Sequence, residues 1–362
     1  MRGKSTQRAI VADVCRTIDR SIPDRYQEFA ARRLTGPLAA FSLERNGSAQ
    51  NGMQGTLMAA VDRKGPLEMP RPTLRYRVMY GRHGITLGDW HCIPQQSGPG
   101  PVEATAENAI VFVRQGVFRR HQGRAHTIAE PGAVLFFNRD DGYTVSHPSC
   151  SGDRCSVITV TDLALCNALA SMAMEAPPGP GGIFRVEHGY VSSAVQLTVG
   201  RLLAVVRLGD PLMIDAYLVT LVTAALEVQR RGPPRTAQPG RSAPSAAVDR
   251  VKEIAATRFG QRLSLQVFSN ETGYSPYHLL RLFRCSTGVP IHRYLNRLRL
   301  FHALDRLETS DGLSALAFDL GFSSHSHFTN AFRAEFGITP DRFRAGLRTT
   351  QVSEFRRRLI SR

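Results

Sequence analysis

Apolar residues at helical spacing mark the last third of the chain. Leu313, Leu316, Ala317 and Leu320 recur three and four apart, Gly321 follows where a sharp turn is wanted, and Ser323 or Ser324 can cap what comes next. This predicts a helix, a tight turn and a second helix. In the second helix Phe328 and Phe332 form one apolar stripe, which leaves Ser326, Asn330 and Arg333 about 160 to 200 degrees away from it, facing outward. The same pattern occurs about 48 residues upstream, and an internal repeat is strong evidence for a duplicated unit. Leu265, Phe268, Gly273 and Tyr274 match Leu313, Leu316, Gly321 and Phe322. Leu279, Phe283, Arg284 and Gly288 match Phe328, Phe332, Arg333 and Gly337, with one extra residue at the second turn. Ser275-Pro276 reads as an N-cap followed by proline at the first helical position, where its missing N–H costs nothing. Between the repeats, Ile291, Leu295, Leu298, Ala303 and Leu307 stay near one face and predict a stiff connecting helix.

Gly321 through Pro340 fits the pattern Gly-Phe-Ser-x-x-Ser-x-Phe-x-x-x-Phe-(x)3-Phe-Gly-x-(Ser/Thr)-Pro. On that motif, residues 249 to 346 resemble the DNA-binding domain of the AraC/XylS family of bacterial transcription regulators. The resemblance implies two recognition helices that enter successive major-groove segments of a double-stranded DNA operator. Its base-reading positions fall on Tyr277, His278, Leu280 and Arg281 in the first motif and on His325, Ser326, Thr329 and Asn330 in the second. Phosphates would be met by Arg284 and Arg333 and at the helix N-termini by Ser275 and Ser324. Many members carry arginine where this chain has Asn330, whose amide suits adenine better than guanine. The family also implies contact with RNA polymerase, homodimerisation and activation rather than repression.

From Leu74 to Val160 the period shortens. Leu74 to Met79, Ile110 to Val113, Val117 to His121, Ala133 to Phe137, Tyr143 to His147 and Ser156 to Val160 read as strands parted by turn residues. Strands so short and evenly spaced predict a small barrel or jelly roll. Glu130 to Asn138 followed by Val145-Ser-His-Pro148 resembles the cupin-like sensor domain that precedes this DNA-binding domain in many family members. A small-molecule effector inside it would meet Tyr76, Trp90, Arg114, Phe118 and Phe136, with Tyr80 and Arg120 as further candidates. Cupin metal sites need a His-x-His pair, a Glu and a later His. Here His121 and His126 are five apart and His91 and His147 stand alone, so neither metal nor cofactor is expected. His147 reads as a strand-end hydrogen-bonding residue. Cys150 and Cys155 flank Ser-Gly-Asp-Arg and read as reduced thiols beside a hairpin, with a disulfide or a soft ligand as the alternatives.

After Asp162 the period is helical again, with a short stripe at Leu163, Cys166, Leu169 and Ala170, then Val191 to Leu208, then Pro211 to Arg230 opened by an Asp210 cap. The two longer helices either pack on the barrel or make a dimer contact, as they do in the family. Residues 231–247 are rich in Pro and Gly and read as a linker. Residues 1–68 show one helical face, at Ile10, Val11, Val14 and Ile18, and then no sustained period. The chain thus divides into an extension (1–68), a cupin-like sensor barrel (69–160), a helical segment (161–230), the linker, a reader (248–346) and a basic tail (347–362), a multidomain α+β architecture.

The net charge of +16 favours a polyanionic partner, nucleic acid before membrane, and half of the excess lies in residues 248 to 362. Six cysteines without a pairing pattern suggest a reducing cytoplasm. No apolar run reads as a membrane span, and the start lacks the apolar core of a signal peptide. The expected function is a cytoplasmic, ligand-responsive regulator that reads DNA and is not an enzyme. The competing readings are a cupin-type metal-dependent oxygenase fused to a DNA-binding domain, and an effector-independent DNA binder.

Overall fold

A computed structural model describes residues 73–94, 98–123, 125–148, 152–174, 182–232 and 243–348. The expected N-terminal helical face, Cys150, most of the linker and the basic tail lie outside them. Nine strands come first: β1 (Thr73–Arg82), β2 (Ile85–Ile93), β3 (Asn108–Gly116), β4 (Phe118–Gln122), β5 (Ala125–Ala129), β6 (Ala133–Phe137), β7 (Thr144–Ser146), β8 (Asp153–Val160) and, after helix α1 (Asp162–Ser171), β9 (His188–Tyr190). Helices α2 (Ser193–Leu208) and α3 (Pro211–Arg231) follow. The reader holds α4 (Ala243–Thr257), α5 (Leu265–Thr272), α6 (Pro276–Thr287), α7 (Ile291–Arg306), α8 (Leu313–Asp319), α9 (His325–Phe336) and α10 (Pro340–Arg348). Thus α4 starts inside the segment read as a linker.

The strands form a six-stranded sheet in the order β1-β2-β8-β3-β6-β9 and a separate three-stranded sheet, β5-β4-β7. The expected barrel is therefore two sheets, not joined into a closed ring by any ladder among the described residues. Strands β2, β5 and β9 were not foreseen. In β2 the alternation is interrupted by Gly88 and Asp89, β5 holds a single large apolar residue, Ile128, and β9 reads His-Gly-Tyr without an apolar alternation. The central strands read as unbroken apolar runs because both faces of the large sheet are covered. Ile110, Phe112, Val134, Phe136, Ile158 and Val160 face α1, α2 and α3. Their neighbours Ala109, Val111, Val113, Ala133, Leu135, Phe137 and Val157 face the small sheet. Helix α3 is long and apolar enough to cross a membrane by length and composition, contrary to the expectation that no run is. Its Ile214, Leu218, Leu221, Val222, Ala225 and Leu226 are buried against the large sheet, as in the core helix of a globular domain.

The reader sits directly on the sensor. On one side Leu197 and Ala204 of α2 join a core with Leu300, Phe301, Leu304, Phe336 and Phe343. On the other, Val117 and Ile128 join Val248, Val251 and Ile254. Gly132, at φ 98°, brings the β5–β6 turn so close to α7 that a Cβ there would stand 2.7 Å from the Phe301 ring. Polar contacts surround these clusters. Arg114, aimed by a bulge in the β3–β8 ladder, donates to Asp305 at 2.6 Å and also to Asp89, while Gln115 donates to the other Asp305 oxygen at 2.7 Å. Arg119 pairs with Glu253, His126 with Asp249, and Arg207 with Glu308, and Ser193 donates to Glu335. Glu130, fully buried, accepts from the Tyr190 hydroxyl at 2.7 Å and lies 3.6 Å from Lys252 Nζ.

Candidate nucleic-acid interface

The repeat read from the sequence is present as two matching helix pairs, α5–α6 and α8–α9. Helices α6 and α9 each run for 12 residues and each ends at a left-handed glycine, Gly288 or Gly337. Each is capped by serine. Ser275 Oγ accepts from His278 N at 3.4 Å and Ser324 Oγ from His327 N at 3.1 Å, so Ser324 is the cap and Ser323 instead contacts His327 Nδ1 at 3.0 Å. An acceptor role in the cap leaves each cap serine its hydroxyl proton to donate to a phosphate beside the helix N-terminus.

Helix α7 ties the two units into one body. It contributes Leu295 and Leu298 to the first core and Leu300, Phe301 and Leu304 to the second. Arg299 points back from it and donates to the carbonyls of Phe259 at 2.8 Å and Gln261 at 2.9 Å. The α8–α9 turn closes onto the same group: Gly321 has φ 83°, and a Cβ there would meet Arg299 Nη2 at 2.8 Å and the Phe259 and Gly260 carbonyls at 2.9 Å. The spacing between the two outward helices is thereby fixed.

Leu279 and Phe283 in α6, and Phe328, Phe332 and Phe336 in α9, are buried. The opposite faces are open. Tyr277 is 79% exposed and Leu280 37%, a large apolar surface to leave in water, and a leucine so placed suits a thymine methyl. His278 and Arg281 in α6 and His325, Ser326 and Asn330 in α9 are also exposed. Thr329 differs: it is half-buried and its Oγ1 is sequestered, because it lies beside the stripe rather than opposite it. Among the described residues Arg281, Arg284 and Arg333 hold no ion pair, whereas Arg297 is tied to Glu335 and Arg306 to Asp319.

Arg333 stands two turns along α9, further from the helix N-terminus than the expected base-reading residues. Its replacement by alanine should weaken binding to all DNA sequences similarly and lower the salt slope by about one. Binding measured across a salt series checks this; a change of base preference would reassign the residue.

The sensor holds a cavity between its two sheets. Trp90 and Phe118 line it with Leu74, Val111, Phe137 and Tyr143. The other expected effector residues lie elsewhere. Phe136 has the opposite strand parity and faces the helices, and Arg114 is spent on the reader. Tyr76 lies beside Trp90, with ring centroids 5.3 Å apart, but does not line the cavity. Tyr80 donates to Asp215 at 2.6 Å, and Arg120 donates to the Phe136 carbonyl at 2.8 Å. Cys92, Glu103 and Asp153, which the sequence did not single out, line the cavity with His147 and Cys155. Strand parity was the available signal, since Asp153, Cys155 and Val157 alternate along β8.

Comparison with known proteins adds to this geometry. A family model described as a helix-turn-helix domain matches residues 268–346. The probable transcription factor PqrA of Proteus vulgaris is 34% identical over 83 residues, 23% of this chain and 68% of that protein. The regulatory protein SoxS of Salmonella typhimurium is 35% identical over 85 residues, 23% of this chain and 79% of that one. The transcriptional activator RhaS of Escherichia fergusonii is 37% identical over 89 residues, 24% of this chain but only 32% of RhaS. With two serine-capped helices set on one rigid connector and aligned relatives of this kind, the chain belongs to the AraC/XylS family and is a DNA-binding regulator of transcription.

Proposed function

We propose that the protein is a ligand-responsive activator that reads two successive major-groove segments, acting in the cytoplasm as a homodimer. The observation that carries the DNA-reading geometry is the pair of outward faces on α6 and α9, each with polar or apolar side chains free for base edges and an unpaired arginine further along. Tyr277, His278, Leu280 and Arg281 read one segment, and His325, Ser326 and Asn330 the other, with Thr329 turned toward the apolar stripe. Arg284, Arg333 and the two cap serines hold phosphates. The cavity in the cupin-like sensor takes the effector, and the tight docking of sensor on reader supplies a route for its signal. Activation through RNA polymerase follows the relatives, of which RhaS is named an activator. Leu208 and Leu212, exposed at the α2–α3 turn, offer an apolar dimer contact. The regulators matched favour this reading over an oxygenase.

Footprinting the full-length protein on promoter DNA of adjacent genes tests it. Two protected major-groove segments about 34 Å apart on one face are expected. Even protection without sequence preference would instead support the effector-independent binder.

A further inference from the structure

One wall of the sensor cavity carries a cluster that DNA reading does not use. Cys92 ends β2 and pairs in register with Asp153 at the start of β8. His147 arrives from the opposite sheet, just after β7, with its Nε2 2.7 Å from Asp153 Oδ1. Cys155 donates its thiol to Asp153 Oδ2 at 3.3 Å. One donor atom from each of Cys92, His147 and Asp153 lies within 4.8 Å of the other two, and all three residues are buried on the cavity wall.

Hydrogen bonding accounts for part of this cluster. It does not account for Cys92, which has no hydrogen-bond partner among the described residues yet points its sulfur at an imidazole and a carboxylate. Zinc bound by sulfur at about 2.3 Å and by nitrogen or oxygen at about 2.0 to 2.2 Å needs tetrahedral donors roughly 3.2 to 3.7 Å apart. The cluster reaches that spacing if the His147–Asp153 pair opens by about half an ångström and Cys92 moves inward. A thiol, an imidazole and a carboxylate form the donor set of a borderline cation; calcium and magnesium favour oxygen alone. A cation bound there takes the cysteine as thiolate, and the thiol proton it displaces leaves to solvent.

We propose that Cys92, His147 and Asp153 form a site for one borderline divalent cation, with Zn²⁺ as its type, whose fourth position opens into the cavity. The ligands come from two strands of the large sheet and from the residue just after β7 of the small sheet, so an occupied site clamps the two sheets together. The search for His-x-His could not find it, because its ligands are far apart in sequence and only one is histidine. The site stands whether or not the cavity also receives an organic effector.

The test uses full-length protein purified with a reductant, stripped with a chelator and titrated with Co²⁺ and then Zn²⁺. One equivalent of Co²⁺ should bind, with a thiolate-to-cobalt charge-transfer band that Zn²⁺ abolishes. Cys92→Ser should remove the band, and His147→Ala and Asp153→Asn should each weaken Zn²⁺ binding by more than the about 10- to 100-fold typical of losing a group that only orients a ligand. Cys285→Ser, on the exposed face of the reader, should leave the titration unchanged. Circular dichroism confirms that each variant is folded, and the near-isosteric Asp153→Asn serves if Cys92→Ser is not. No uptake by the parent protein overturns the proposal, as does a band and stoichiometry unaltered in the folded variants. DNA binding by the parent protein in either case leaves the regulatory reading intact.

Discussion

Arg281→Ala is expected to weaken operator binding by about 1 to 3 kcal/mol, roughly 5- to 150-fold, and to erase preference at a single base pair. Its neighbours Leu279 and Phe283 are fully buried, so the α6 backbone is anchored and the guanidinium projects from the opposite side. Among the described residues it makes no ion pair that would have to break first. A guanidinium so placed can donate two parallel hydrogen bonds to O6 and N7 of a guanine from one fixed planar fork, which lysine's flexible point charge matches less well. Arg281→Lys should therefore keep much of the non-specific affinity and recover little of the base preference. Binding of the variants to the operator and to its single-base changes decides the matter. Equal weakening on every sequence would make Arg281 a phosphate contact.

Phe332→Ala should cost about 3 to 5 kcal/mol, because a fully buried phenylalanine is lost together with the packing around it. Its ring lies 4.5 Å from that of Phe336, 5.8 Å from Phe328 and 6.1 Å from Phe343, measured between centroids, so one deletion loosens α9 and α10 together. Against the 5 to 15 kcal/mol that holds a typical domain folded, this is a large share. A fall in Tm of more than about 10 °C should accompany loss of protection over the second DNA segment. Phe332→Leu, which keeps much of the volume, should fall between. An unchanged Tm would mean that the α9 stripe is not the core of this unit.

The reader was legible because its signals are local. Helical spacing at Leu313 to Leu320, a serine cap and a glycine stop are each contained in a dozen residues, and their repetition gave two units and a connector. The sensor was harder. Its strands were recognisable where they were apolar, but the runs at β3 and β6 are buried on both faces, so nothing in Ala133 to Phe137 says that Phe137 faces the cavity and Phe136 the helices. Arg114 shows a further limit. As an arginine among apolar residues it resembled a pocket anchor, and only the β-bulge and the approach of Asp305 from 191 residues away give it its partner. Cys92, His147 and Asp153 meet by the same long-range logic. No composition or spacing rule brings β2, β7 and β8 together before the sheet order is known.

Among the described residues, four of the five ion pairs that hold the sensor to the reader share one polarity, the pair of Lys252 with Glu130 being the reverse. Asp249, Glu253, Asp305 and Glu308 come from the reader, and the cations that meet them, His126 when protonated and Arg119, Arg114 and Arg207, come from the sensor. Docking therefore masks negative charge on the very domain that must approach a polyanion. The open α6 and α9 faces keep their unpaired arginines, and the potential they present to DNA is offset by fewer carboxylates than the reader carries alone. The sensor in this way strengthens the attraction for DNA without touching it. Any ligand that loosened the docking would slow the capture of DNA by uncovering like charge, even if neither recognition helix moved.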